Sequence, residues 1–173
     1  MRFRLAFALL ATTVPAHAGA QSFAAFFPMR ILAAHNAERE RARVAPLVWD
    51  NGLGLAASAY AQQMAFSGRF QHSNRKARPG TGENLWMGTR GVFSPESMVA
   101  AWASEKRWFR PGVFPDVARR GSWQDVAHYT QMIWPTTTRV GCAVASTMRS
   151  DYLVCRYSGK GNVDGRTVGY ALR

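Results

Sequence analysis

Apolar positions recur along this chain first at helical and later at strand spacing, and the change of rhythm divides it. From Ser22 to Arg43, Phe26, Ile31, Leu32, His35 and Arg39 fall at three- and four-residue steps, while Glu38, Glu40 and Arg41 between them are polar. That is the pattern of an amphipathic helix. Pro46 ends it, because proline cannot continue the helical ladder, and Leu47-Val48-Trp49 reads as a short apolar link. Asp50 is a good N-cap for a second helix, Leu53 to Phe66, with Leu53, Ala57, Tyr60 and Met64 along one face and Gly68 to stop it. Residues 67–82 are polar and carry Pro79, Gly80 and Gly82, which makes them a loop; Asn84 to Met87 follows as a short strand.

Ser94-Pro95-Glu96 opens a third helix, with Ser94 as N-cap and Pro95 at the first helical position, where its missing N–H costs nothing. Met98, Val99, Trp102 and Glu105 share a face of that helix. Pro111 to Gly121 has no clean period and reads as a long surface loop, after which Asp125 caps a short helix through Trp134. Val140–Ala145 and Tyr152–Tyr157 are apolar and β-rich, joined by a polar turn at Arg149-Ser150-Asp151, and so predict a hairpin; Val168–Leu172 is a final strand. Helices first and strands mostly last indicate the α+β class, with helices covering an antiparallel sheet.

The N-terminus follows neither rhythm. Met1-Arg2-Phe3-Arg4 is basic, Leu5 to Val14 is apolar, and Ala16-His17-Ala18 and Ala18-Gly19-Ala20 are small-residue cleavage patterns. The apolar run is shorter than the ~20 residues that span a bilayer, so residues 1–20 read as an export signal, with an uncleaved anchor as the alternative. A single domain over 21–173 remains, in a secreted or periplasmic setting.

Composition narrows the class. With 173 residues, 47% apolar and 18% charged, the chain can build one core, which excludes collagen-like, disordered and coiled-coil proteins. The formal net charge of +12, two lower without Arg2 and Arg4, points to an anionic partner. The basic residues are scattered singly or in pairs, with no run interleaving arginine and aromatics, so a nucleic acid is not expected and an anionic envelope surface is. Cys142 and Cys155 belong to no Cys-x-x-Cys pattern. In an oxidising compartment the pair reads most simply as a disulfide worth about 3 kcal/mol, with a catalytic thiol as the alternative.

Beyond the signal the chemistry-bearing histidines are His35, His72 and His128. His72 lies in Gln71-His72-Ser73, Glu83 in Gly82-Glu83-Asn84-Leu85, Glu105 in Trp102-Ala103-Ser104-Glu105-Lys106 and His128 in His128-Tyr129-Thr130-Gln131-Met132-Ile133-Trp134. None of these stands at the i, i+3 or i, i+4 spacing of a local metal motif, so spacing alone does not join them.

Together with His35-Asn36, Arg39, Pro46-Leu47-Val48-Trp49-Asp50, Thr138-Arg139-Val140-Gly141-Cys142 and Cys155-Arg156-Tyr157-Ser158, these segments run in an order that resembles the CAP superfamily. This is the domain (also called SCP) of cysteine-rich secretory proteins, insect venom allergens and plant pathogenesis-related class-one proteins, and the chain most resembles the single-domain bacterial type. The resemblance covers about Ile31 to Leu172. It implies an α-β-α sandwich, an antiparallel sheet of three or so strands flanked by about four helices. It also implies a cleft in which His72 and His128 bind a divalent ion, often zinc, with Glu83 and Glu105 in or near the coordination shell. His35 belongs to the family pattern but outside this set, and reads as a structural hydrogen-bonding residue.

The chain departs from the pattern in Ala127, where a glycine is common, and in a tail without the usual proline. It has one cysteine pair where eukaryotic members carry about three, and no cysteine-rich extension. The expected function is a monomeric binding domain taking a divalent metal and a small, sterol or other lipidic ligand. A metal-dependent, peptidase-like hydrolase with Glu83 or Glu105 as base is the second reading, and a cationic envelope-binding protein the third. The first prevails because no oxyanion donor and no Ser-His-Asp arrangement can be named.

Overall fold

The structure, a computed structural model, describes residues 18–169, with side chains from residue 26. Residues 1–17, which hold most of the expected export signal, and 170–173, which hold the end of the last expected strand, lie outside the described residues. The chain order is α1 (Ala18–Arg41), β1 (Val48–Trp49), α2 (Asn51–Ser67), β2 (Thr81–Thr89), α3 (Pro95–Ala103), β3 (Gly112–Val113), α4 (Ala127–Met132), β4 (Arg139–Ser146), β5 (Ser150–Ser158) and β6 (Thr167–Val168).

Local chemistry sets the helix ends. Asp50 Oδ1 accepts the Leu53 N–H at 2.9 Å, which satisfies an orphan donor in the first turn of α2. Gly68 closes that helix in the left-handed region at φ +68°, its N–H donating to the Met64 carbonyl. Ser94 caps α3 by accepting from Ser97 N, with Pro95 in the first turn. Before α4 a 3-10 turn, Trp123–Val126, is entered through Ser122, whose N–H donates to Asp125 Oδ2 at 2.9 Å. The cap expected at Asp125 is therefore Ser122, and Asp125 is the acidic residue three positions on that reaches back. Glu105 likewise lies beyond α3, on a 3-10 turn, Ser104–Arg107.

The central sheet has the order β1-β4-β5-β2. β4 and β5 form the expected hairpin and β2 joins β5 antiparallel, from Thr81 opposite Ser158 to Thr89 opposite Ser150. The apolar link Val48-Trp49 is itself a strand, paired parallel to Arg139-Val140, so the sheet is mixed at that edge. Cys142 and Cys155 stand directly opposite on the hairpin and form a disulfide. Within the region read as a loop, β3 pairs with β6 in a separate two-stranded ribbon.

Helices cover both faces. On one, Ala57, Ala61 and Met64 of α2 pack on Leu85, Tyr152 and Val154. A Cβ on Gly141 would run into the backbone of Asp50, Leu53 and Gly54, so glycine there lets the start of α2 lie directly on β4. The larger cluster on the other face joins Ile31, Met98, Trp102, Met132, Ile133, Leu153 and Tyr157, uniting α1, α3 and α4 with the sheet. The result is an α+β sandwich of helix, sheet and helix layers.

Candidate functional site

Glu83 stands on β2 directly opposite Arg156 of β5, its side chain fully buried. Its Oε1 accepts from His72 Nδ1 at 2.7 Å and from the Ser73 N–H at 3.0 Å. Oε2 accepts from Ser73 Oγ at 2.8 Å and lies 3.1 Å from Arg156 Nη1. Burial pushes this carboxyl up, but the hydrogen bonds from His72 and Ser73 and the charge of Arg156 outweigh it and hold Glu83 below the ordinary carboxylate value. Arg156 is itself clamped, by Ser73 Oγ at 2.9 Å and over the Tyr60 ring at 5.3 Å. Because a buried carboxylate can only accept, His72 carries its proton on Nδ1 and turns Nε2 away.

The second pair repeats this arrangement with different scaffolding. Glu105 Oε1 accepts from His128 Nδ1 at 2.6 Å, and Oε2 accepts the N–H groups of His128 and Tyr129 at 3.0 and 3.1 Å. Those amides lie in the first turn of α4, where no intrahelical acceptor exists, so Glu105 caps the helix and holds the imidazole at once. Trp102 stacks on the His128 ring, centroids 6.1 Å apart and planes 13° apart, and its Nε1 donates to the Leu85 carbonyl at 2.9 Å. Asn84 Nδ2 donates to the His128 carbonyl at 3.0 Å.

The four residues singled out in the sequence thus come together as two His–Glu pairs, attached to consecutive residues of β2. Glu83 holds the His72 ring and Asn84 the main chain of His128. Adjacent strand residues face opposite sides of a sheet, and the pairs meet β2 from its two faces along the sheet's free edge. Among the described residues no hydrogen bond or ion pair links one pair to the other. Nor does any group of three or more His, Cys, Asp or Glu residues among them form a set able to hold a metal ion. The donors each pair offers are the two Nε2 atoms, for the carboxylates are taken up at Nδ1. Two neutral imidazoles with Nδ1 held by carboxylates are chemically suited to zinc, with water completing the shell.

His35 stays outside the pairs. It is fully buried, donates Nδ1–H to the Ile31 carbonyl at 2.8 Å and accepts the Tyr157 hydroxyl on Nε2 at 2.8 Å, a structural role. Sequence reasoning did not reveal Arg156, Asn84 and Gln131 as partners of the site. Gln131 Oε1 accepts the Gly161 N–H at 2.7 Å, and a Cβ on Gly82 would run into it, which accounts for the glycine before Glu83. Beside Glu105 lies a cavity of about 310 Å³ lined by Arg107, Trp108, Arg120, Gly121 and Asp125.

This order of segments on this fold matches the CAP profile, the cysteine-rich secretory protein family, over residues 32–157. The chain belongs to this family. It is 34% identical to pathogenesis-related protein 1B of Nicotiana tabacum over 137 residues, 79% of this chain and 77% of the relative. It is also 34% identical to the secreted protein RBT4 of Candida albicans, covering 80% of this chain and 36% of that longer protein. Among solved structures, NaASP2 with Zn2+ superposes with a TM-score of 0.70 at 25% identity, over 81% of this chain and 83% of the other. Like these CAP domains, the chain combines α-helices with a mixed sheet, and it carries a disulfide.

Proposed function

We propose that this CAP domain is a secreted metal-binding module in which His72 and His128 hold a divalent ion, zinc foremost, through their Nε2 atoms. One observation carries the reading: each histidine has its Nδ1 bound by a glutamate, at 2.7 Å for His72 and 2.6 Å for His128. That contact fixes tautomer and ring orientation and makes the opposite nitrogen a better ligand. The CAP relative crystallised with Zn2+ supports the choice of metal. The name of the Candida relative supports export, and no helix among the described residues is long and apolar enough to cross a membrane.

Zinc so held would act as a Lewis acid toward an oxygen ligand. The glutamates serve the rings instead of the reaction. His72, Ser73, Arg78 and Arg156 surround Glu83, and Glu105 holds the His128 ring and two main-chain amides, so both carboxylates are committed to positioning. The reading is therefore binding rather than hydrolysis. The cavity beside Glu105, lined by Arg107, Arg120 and Asp125 as well as Trp108, gives a small polar ligand room next to the His128 pair.

Calorimetric zinc titration of the chelator-treated protein tests this. Wild type is expected to bind with 1:1 stoichiometry, His72→Ala and His128→Ala each to lose most of the affinity, and binding to weaken as added acid competes with the metal for its ligands. Glu105→Gln is expected to weaken binding about 10–100-fold, because glutamine offers one acceptor where three donors converge. Wild-type affinity in either histidine variant, or zinc-dependent peptide cleavage lost in Glu105→Gln, overturns the proposal.

A further inference from the structure

At the far end of β2 from Glu83, two turns meet at the surface. The ladder of β2 and β5 runs to Thr89 opposite Ser150, and just beyond it Arg90 N–H donates to the Arg149 carbonyl at 3.0 Å. This ties the β2–α3 turn to the tip of the β4–β5 hairpin. Large apolar side chains stand out from both: Met148 is 91% exposed, Val92 65% and Phe93 40%. Exposed apolar side chains of this size gathered on two joined turns are suited to an interaction surface.

The tip is firmly held. Thr147 N–H donates to the Ser150 carbonyl at 2.8 Å, and Thr147 Oγ1 accepts the N–H groups of Arg149 and Ser150 at 3.2 and 2.9 Å. Phe93 packs edge-on against Trp86 at 5.1 Å. Met148 is therefore presented at the top of a rigid turn, and little ordering is needed for it to enter an apolar phase.

Arg90 and Arg149 flank these side chains, both exposed and both without a carboxylate partner among the described residues. Asp151, two residues beyond Arg149, is buried and already accepts from Gly91 N–H at 2.8 Å and from Ser146 Oγ. It forms an ion pair with neither arginine. We infer that this paired tip docks onto an anionic lipid bilayer, with Met148, Val92 and Phe93 entering the headgroup region and Arg90 and Arg149 meeting lipid phosphates.

Apolar points ringed by cations are the chemistry of a peripheral membrane contact. A second copy of the chain is disfavoured, since two such patches would bring four unpaired guanidinium groups together. Glu83 lies six strand positions from Thr89, about 20 Å along β2, so a docked molecule keeps the His–Glu pairs clear of the bilayer. The inference is independent of the metal-binding reading.

Sedimentation with phosphatidylcholine vesicles, with and without phosphatidylglycerol, tests it. Binding is expected only to vesicles containing phosphatidylglycerol, and to fall as sodium chloride is raised. Arg90→Gln with Arg149→Gln should weaken it about 25-fold, roughly fivefold for each charge. Met148→Ser with Val92→Ser should weaken it about tenfold or more. All four side chains are exposed, so unchanged thermal melts are expected of both variants. Lys160→Gln with Arg166→Gln removes the same charge away from the tip and should change binding little. Equal loss in that control would reduce the effect to overall charge and overturn the inference. So would absence of binding to the anionic vesicles, or a solution dimer abolished by Met148→Ser.

Discussion

His35 and Arg39 lie one turn apart on α1, both fully buried and neither paired with a carboxylate among the described residues. Arg39 instead donates to four carbonyls, those of Ala45, Met132, Trp134 and Thr137 at 2.6–3.0 Å, and so fastens α1 to the chain leaving α4. These carbonyls cluster at a helix C-terminus, where a positive charge is favoured. His35 pays for the same burial differently. Desolvation, partly offset by the Ile31 carbonyl and reinforced by the charge of Arg39, brings its pKa from 6.5 down to about 4. A depressed folded-state value means that stability is complete above the unfolded pKa and declines as the pH falls from about 6.5 to about 4, since only the unfolded chain readily takes up the proton. The full loss is about 3 kcal/mol. Urea unfolding at pH 7 and pH 4.5 should show most of that difference, and in His35→Gln, already less stable at pH 7, the His35 share should vanish. An unchanged pH dependence in the variant contradicts this assignment.

At the scale of elements, the disulfide joins residues that the β4–β5 register already sets face to face, so it reinforces the hairpin rather than choosing its pairing. Closing a loop of this length contributes about 3 kcal/mol in the chain-entropy model. Cys142→Ala with Cys155→Ala is expected to fold and to lose about that much in a urea titration; a loss below ~1 kcal/mol would show that the strands alone hold the hairpin. The contrast between elements also shows what a sequence makes visible. Asp50, Gly68 and Ser94-Pro95 act within a few residues of themselves, and their helix ends can be read directly. β1, β3 and β6 are two residues long, too short for any alternation, and exist only because Arg139-Val140 lies beside β1 and because β3 and β6 lie beside each other. The cap before α4 falls between: Ser122 and Asp125 both fit one, and only the fold decides which leads.

Across the whole molecule the candidate site is a product of assembly. His72, Glu83, Glu105 and His128 are recognisable one by one through the family pattern, but their pairing is not. Glu105 reaches His128 from a 3-10 turn that continues the line of α3, and Arg156 reaches Glu83 only through the register of β2 on β5. Both pairs then depend on neighbouring residues of one edge strand, Glu83 and Asn84, which bring the helical layers on the two faces of the sheet to a common border. The tip proposed to dock on membranes occupies the other end of that strand, so a single element would connect it with the proposed metal-binding border. The most direct test of the metal-binding claim is an anomalous difference map at the zinc edge from crystals of the protein grown with zinc. The expected result is one peak about 2.0–2.1 Å from Nε2 of both His72 and His128, with Glu83 and Glu105 still on Nδ1. A peak bonded to a glutamate oxygen in place of either imidazole, or zinc on other residues while both Nε2 atoms are left bare, would contradict it.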